Sequence, residues 1–597
     1  MADVLSIAGL ALGATSLAFE LFSGCVKGYN LLLEANQMPD TCRFLLVRLR
    51  IEKEKLVGWA VLAGISEEEK TMSPLLRLNR HTVLDALREL EVLLLDVQKL
   101  DERYNLRLVV DTHSPELIRQ QTVPEALPGR LGELEEKALG LFERTRKLPK
   151  KLRWAAFHKE KFEELLAHIA VLNDSMMQFL ESHDRQRHFK MQEVMLMQIL
   201  HANTRINDLF DLVKSFQANS KQRSESLTDH AKGEGHEGYE RRTVALTRFK
   251  ALKLAVETER TDTLEVEEFV TGTPELAIHK LKLTTQSNDN NTLGSRRSSG
   301  MCNDKSVWVE WRNYQPIHGY GSDDEGEESH EPPRFVQDRI SKMAKLLRDR
   351  EKPEEFRVPH CLGYVRDLSE CRLGFVFLSD ASLKHSIPVS LLDLLSDRRK
   401  PSLTTRIRIA KLISSSIWYL HSTEWLHKGL RSENIVFPVL DPFSSVLPIL
   451  CGFDYSRPAD IDETTERPIQ NLWHDLYRHP KTQFDSPREG RNGFRKIYDI
   501  YSLGVVLTEI ALWKPVHTIL GIDTTQRLKA ATVKGVQTGL LAQDKLDDVE
   551  AEAGRVFASV VRACLSGEFG NDGTLGDANL QLVFWEKVVD PLEGIAV

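Results

Sequence analysis

Along the first 215 residues, apolar positions recur at helical spacing and strand-like alternation is rare. Val83, Leu84, Leu87, Leu90, Leu94 and Val97 step by three and four along one face, as a packed amphipathic helix requires. Phe162, Leu165, Leu166, Ile169 and Leu172 repeat the pattern. Such helices, joined by short loops containing Pro74 or Pro124, predict an all-α bundle. Between residues 215 and 240 the chain turns polar and carries Gly233, Gly235 and Gly238, which reads as a flexible linker. A helix is expected near 241–258, in "RRTVALTRFKALKLAVE", and a mobile stretch at 284–300, "TTQSNDNNTLGSRRSSG", which has almost nothing to bury.

From about residue 301 the period changes. "SVWVEWRNY", "RVPHCLGYV" and "RLGFVFL" alternate as strands, while "RFVQDRISKMAKLL" keeps the helical step. The acidic run at 323–329, "DDEGEES", reads as a solvated loop. After Ser390 helices return, so residues 301–597 are expected to form an α+β module. The domain expectation is therefore a bundle at 1–215, a linker at 216–300 and a second domain at 301–597.

Composition refines this only slightly. With 41% hydrophobic and 28% charged residues over 597 positions, the chain can pack several cores. A formal charge of −8 argues against a dedicated nucleic-acid binder. The seven cysteines are scattered and lack CxxC spacing, which suits a reduced, cytoplasmic protein with no metal site built on cysteine. Val4–Phe19 carries no charge but is shorter than the ~18–20 residues of a membrane span. No basic stretch precedes it, so a secretory signal is not expected.

The chemistry centres on "WLHKGLRSENIVF", residues 425–437. His427, Lys428, Gly429 and, after four residues, Asn434 reproduce the frame H-R-D-x-x-x-x-N of a protein kinase catalytic loop. "CGFDYSRP", "YRHP" at 477–480, "YDIYSLGVVLTEI" at 498–510 and "VVRACLSGEFG" follow in the order of that fold. Residues 301–597 therefore resemble a bilobal protein kinase domain with degraded motifs. The resemblance makes His427, Phe453 and Asp499 structural motif residues, with Asp499 tying its helix to the loop. Gly429 takes the place of the catalytic Asp and Gly452 that of the Mg²⁺-binding Asp, unless a two-residue shift brings in Asp454. Arg312 stands near the position of the phosphate-binding strand Lys and Arg431 near that of a γ-phosphate Lys. No glycine-rich loop precedes the strand, and between Pro332 and Asp349 there is no Glu, with Asp338 the one local substitute. Phosphoryl transfer rests on positioning and on metal-ion neutralisation, so these losses predict a pseudokinase with no catalytic residue. A residual nucleotide site would use Arg312, Arg431, Asn434 and Asp454, with ATP, with or without Mg²⁺, as its ligand. The alternative for Asn434, and the favoured one, is a cap of its own loop by local hydrogen bonds.

The helical half resembles the HeLo domain of fungal prion-inhibition and propagation proteins. The residues that carry this are "IAGLALG" at 7–13, "RLRIEKEKLVGWAVLAGI" at 48–65 and "KKLRWAAFHKEKFEELLAHIAVLND" at 150–174. The resemblance implies a bundle whose first helix leaves the core and acts on membranes, here Ile7, Gly9, Gly13 and Leu17. Gly9 and Gly13 form a G-x-x-x-G pair, which permits close helix approach in lipid; an ordinary bundle helix is the alternative. A basic cluster of Arg144, Arg146, Lys147, Lys150, Lys151 and Arg153 suits anionic lipid, with Trp154 and Phe157 as interfacial anchors. The competing view is a solvated helix face with Trp154 in the core.

The layout is similar to that of mixed-lineage-kinase-like cell-death effectors. It implies a pseudokinase-regulated effector of fungal cell death or heterokaryon incompatibility. Such a chain would self-associate, answer an upstream protein sensor and relocate from the cytoplasm to the lipids of the plasma membrane. The last segment, "LVFWEKVVDPLEGIAV", reads as a closing helix with no amyloid-like tail, so prion propagation is not expected. An atypical ATP-binding Ser/Thr kinase and a cytosolic signalling scaffold are the alternatives.

Overall fold

The computed structural model describes residues 7–35, 37–65, 74–110, 129–145, 152–203, 205–226, 234–259, 267, 272–284, 296–315, 330–379, 387–397, 399–438, 448–453, 456–458, 471–483, 494–569 and 577–596. The chain divides into two compact units, Met1–Ala251 and Leu252–Val597.

The first unit is a helical bundle. Its helices are α1 (Ile7–Leu33), α2 (Arg43–Ala63), α3 (Pro74–Leu78), α4 (Arg80–Leu95), α5 (Val97–Tyr104), α6 (Gly129–Thr145), α7 (Lys159–Met177), α8 (Ser182–Ala202), α9 (Ile206–Ser226) and the first part of α10 (Glu234–Thr258). The apolar stripes meet in one core: Phe19, Phe22, Val26 and Tyr29 of α1 lie with Leu49, Leu56 and Trp59 of α2, Leu87 and Leu90 of α4, and Phe162 and Ile169 of α7. The expected helix through Val97 is in fact two. Asp96 ends α4 and its side chain accepts from the backbone N–H of Lys99, capping α5, which leaves Val97 exposed. Two short strands also intervene, β1 (Arg107–Val110) and β2 (Leu152–Ala156), paired antiparallel. The basic segment before Trp154 is thus followed by a strand and not by a helix face. The linker expected at 216–240 is also largely helical, since α9 runs to Ser226 and α10 starts at Glu234.

A polar layer crosses the apolar core. Lys53 Nζ donates to Glu135 Oε1 at 2.8 Å and to Asn30 Oδ1 at 3.2 Å. Asn173 Nδ2 donates to Glu52 Oε2 at 2.9 Å and lies 3.3 Å from the Tyr29 hydroxyl. Each charge therefore has partners, without which its burial would be strongly unfavourable.

The second unit opens with the end of α10 and a five-stranded antiparallel sheet. Its strands are β3 (Leu281–Leu283), β4 (Arg297–Cys302), β5 (Lys305–Asn313), β6 (Cys361–Asp367) and β7 (Arg372–Leu378), in the spatial order β3-β4-β5-β7-β6. Helix α11 (Arg334–Arg348) follows β5 in sequence and packs by β6. Residues 297–300 lie in β4, which corrects the end of the mobile stretch expected over 284–300; residues 285–295 of it lie outside the described residues. The β4 residues are polar because Arg297 and Ser299 turn inward and are buried, while pairing to β3 and β5 supplies the backbone partners. Helices α12 (Leu391–Ser396), α13 (Leu403–Ser422), α14 (Lys496–Leu512) and α15 (Arg555–Ser566) build the remainder. Ser390 and Asp393 close a capping box on α12, and Ser402 caps α13. The chain is therefore an α bundle followed by an α+β region. Among the described residues no helix is long and apolar enough to cross a membrane.

Candidate functional site

Asp499, in the first turn of α14 and fully buried, organises the loop at 427–434. Its Oδ2 accepts from the backbone N–H of His427 and its Oδ1 from that of Lys428, each at 2.8 Å. His421 Nε2 lies 3.2 Å from Oδ2. A carboxylate here also answers the positive end of its own helix. Lys428 takes a left-handed conformation, φ 62°, so the chain turns sharply after His427. The His427 ring is buried against Phe453, with centroids 4.7 Å apart, and Phe453 lies 5.3 Å from Trp425 on its other side. The structure thus brings His427, Phe453 and Asp499 together.

The slots of the two missing aspartates are physically filled. A Cβ on Gly429 would lie 2.9 Å from the Gly452 carbonyl oxygen. Gly452 has φ +83°, which favours glycine, and a Cβ there would fall 2.0 Å from Asn434 Nδ2. Asn434 is engaged locally: Nδ2 donates to the Gly429 carbonyl at 2.7 Å, and its backbone N–H donates to that of Arg431 at 2.9 Å. That is the capping geometry.

The strand side chain that reaches this loop is Glu310 of β5. Its Oε2 accepts from the Gly452 N–H at 2.9 Å, and its Oε1 receives Arg297 Nη2 at 2.7 Å from the directly opposed position on β4. Arg297 also donates to the Glu433 carbonyl at 2.9 Å and lies 3.4 Å from Asn434 Oδ1. Burial opposes the Arg297 charge, yet the Glu310 carboxylate holds its pKa above the ordinary value. Sequence reasoning passed over both residues; the available signal was an acid in the otherwise apolar strand "VWVEW" and an arginine paired across from it.

Arg312 is buried two residues further along β5, on the same face as Glu310. Arg431 is turned onto Glu433 Oε2, at 2.7 Å, and toward the Gly429 carbonyl, at 3.5 Å. Burial would raise the Glu433 pKa, but the Arg431 guanidinium overrides it and holds it down to about 2. Asp338, the expected substitute acid, is largely exposed and pairs with Lys342 at 3.3 Å. Asp454 lies outside the described residues.

Below the loop, Tyr477 donates to Glu509 Oε1 at 2.7 Å, Val516 N–H donates to the same oxygen at 2.7 Å, and Ser432 Oγ lies 2.7 Å from the Tyr477 hydroxyl. Burial, only partly offset by these hydrogen bonds, raises the Glu509 pKa from 4.5 to about 7. Below pH 4.5 both the folded and the unfolded state hold the proton. Between pH 4.5 and 7 the unfolded chain releases it and the folded chain does not, so stability falls as pH rises and then levels off. Glu509→Gln removes that loss. The variant is expected to match the wild type near pH 4.5 and to exceed it by about 3 kcal/mol above pH 7, as read by urea unfolding across the range.

In the helical unit, Ile7, Gly9, Gly13 and Leu17 all lie on α1, with Leu17 exposed. The helix continues to Leu33, so its second half is core. Among the described residues, a close approach on α1 is made at Gly24 and Gly28. Cβ atoms on Gly24 and Gly28 would lie 2.1 Å from Glu91 Oε1 and 2.5 Å from Leu94 Cβ of α4. Of the basic cluster, Arg144 is exposed at the end of α6 and Arg153 donates to Gln37 Oε1 at 3.0 Å. Arg146, Lys147, Lys150 and Lys151 lie outside the described residues. Trp154 is buried against Phe157 and Phe162, with centroids 5.3 and 5.7 Å away. This corrects its reading as an interfacial anchor, because an indole enclosed by two rings is core.

Comparison with known proteins agrees with both halves. Residues 9–212 match the HeLo family, described as prion-inhibition and propagation. Two curated relatives from Dictyostelium discoideum are described as probable LIM domain-containing serine/threonine-protein kinases. One is 32% identical over 122 residues, 20% of this chain and 11% of the relative. The other is 30% identical over 122 residues, 20% of this chain and 17% of the relative. The chain spans less than a fifth of the length of these relatives.

Proposed function

We propose that residues 252–597 are a pseudokinase that serves as a switch, and that residues 1–251 are the effector it restrains. A signal from an upstream protein sensor shifts the chain to an open form. The open form self-associates, moves from the cytoplasm to the plasma membrane and brings α1 to its lipids. The outcome is regulated cell death of the heterokaryon-incompatibility kind. The HeLo match over 9–212 supports the effector half.

The observation that carries the switch half is the geometry at Gly452. The Asn434 amide fills the space a metal-binding aspartate would need, and the Glu310 carboxylate caps the neighbouring N–H. A cleft facing polyphosphate needs cations and metal ligands there. The Glu310 carboxylate is of a type that binds Mg²⁺, but both its oxygens are engaged, one by Arg297 and the other by the Gly452 N–H. The described residues do not fit a metal-bound nucleotide, so no transfer step is assigned.

Millimolar ATP, with or without Mg²⁺, is expected to move the melting temperature of the full-length protein by less than about 1 °C, since only ligands that bind the native state stabilise it. A Mg²⁺-dependent rise of several degrees, or label transfer from ATP that Asp454→Ala abolishes, would replace this reading with that of an atypical kinase.

A further inference from the structure

Helix α10 carries two lysines inside an otherwise apolar run, and Lys250 and Lys253 are both 1% exposed. Each sits on the carbonyls that end another helix. In the first unit, Lys250 Nζ donates to the carbonyls of Leu200 and His201, in the last turn of α8. In the second, Lys253 Nζ donates to those of Thr423 at 3.0 Å and Glu424 at 2.7 Å, just past the end of α13. Helix C-termini present unsatisfied carbonyls and partial negative charge, and a buried ammonium persists only with such partners. The division between the two units falls between these lysines.

The rest of α10 makes further charged contacts within the second unit. Glu257 receives Arg339 Nη1 of α11, at 3.1 and 3.3 Å from its two oxygens. Arg339 Nε donates in turn to the carbonyl of Ser456 at 2.9 Å, three residues after Phe453. Glu259 lies 3.7 Å from Lys342 of α11. Glu424, whose carbonyl Lys253 holds, pairs through its side chain with the buried Lys496 of α14 at 2.8 Å. Seven residues, 253–259, therefore touch α11 and the entrance to the 427–434 loop, and through Arg339 they are linked to the segment that follows Phe453.

We infer that residues 253–259 are an internal clasp, which holds those three parts in one arrangement. Its release is the step by which a change in the second unit reaches helix α10, and through that helix the bundle. The inference deepens the proposed function and rests on the switch reading given there.

The test is peptide-resolved hydrogen exchange on the full-length chain, together with dye release from anionic liposomes. Arg339→Gln is the primary variant, because glutamine keeps a hydrogen-bonding side chain of similar reach while removing the charge that binds Glu257; Lys253→Met is the second. In both, amides of 252–259, 334–348 and 423–434 are expected to exchange roughly tenfold faster, with α2 (43–63) unchanged. The charge reversal Arg339→Glu with Glu257→Arg should restore slow exchange. Unchanged exchange at 252–259 in Arg339→Gln, or acceleration confined to that peptide, overturns the clasp. Acceleration at all three peptides without added dye release upholds the clasp and overturns the effector reading, so the two failures are distinct.

Discussion

Replacing Gly452 with aspartate is expected to lower stability by about 3–6 kcal/mol and to give no transfer of phosphate from ATP. Two terms add. The backbone at φ +83° is left-handed, which a residue with a side chain resists. The new Cβ would also fall 2.0 Å from Asn434 Nδ2, so the amide must leave the Gly429 carbonyl it now satisfies. Restoring the other slot is blocked separately, since a Cβ on Gly429 would press on the Gly452 carbonyl oxygen at 2.9 Å. The double variant Gly429→Asp with Gly452→Asp should therefore be less stable than either single one, and still inactive. Urea unfolding and radiolabel transfer measure the two parts. A double variant that gains kinase activity at wild-type stability would mean the loop readily readopts a catalytic arrangement.

Gly28→Val is expected to cost about 3–5 kcal/mol and to turn the full-length protein into one that releases dye from anionic liposomes. Its Cβ would lie 2.5 Å from Leu94 Cβ and 3.2 Å from the Leu94 carbonyl carbon. Backbone cannot yield as a side-chain tip can, so α1 must move off α4. That motion exposes Phe22, Val26 and Tyr29, now buried. Gly140→Val is the matched control: it also places valine at a helical glycine, but its Cβ would meet nothing within 4 Å. It should gain a few tenths of a kcal/mol, because valine is a better helix former than glycine, and release no dye. Equal leakage from both variants, or none from a destabilised Gly28→Val, would remove α1 from the mechanism.

Long periodic elements were legible from the chain alone. The stripe of Phe162, Leu165, Leu166 and Ile169 became α7, and the apolar run at 498–510 became α14. Short or polar elements were not. Strand β1 has four residues, too few for alternation to register. Strand β4 reads "RSSGMC" and owes its existence to hydrogen bonds on both sides, which composition does not record. The site divided likewise. The frame His427–Asn434 and the helix-borne Asp499 follow from spacing. The role of Glu310 depends on which face of β5 meets the loop and on Arg297 lying opposite, a matter of register between strands. Gly24 and Gly28 share their four-residue spacing with Gly9 and Gly13; that they are pressed against a neighbour depends on the position of α4, which spacing does not give. The burial of Lys250 and Lys253 was not legible, because the carbonyls they satisfy lie 49 to 171 positions away.

The Arg297–Glu310 pair also bears on when such a protein can operate. In an active kinase the cavity beneath the sheet is bridged by a metabolite, so its closure tracks the energy supply of the cell. Here the bridge is covalently part of the chain and always present at one equivalent. Under the proposed function, a cell exhausted of adenine nucleotides would leave this cavity as it was, and the upstream protein sensor would be what alters it. The proposed switch would then stay armed under starvation, when metabolic control of other enzymes has lapsed.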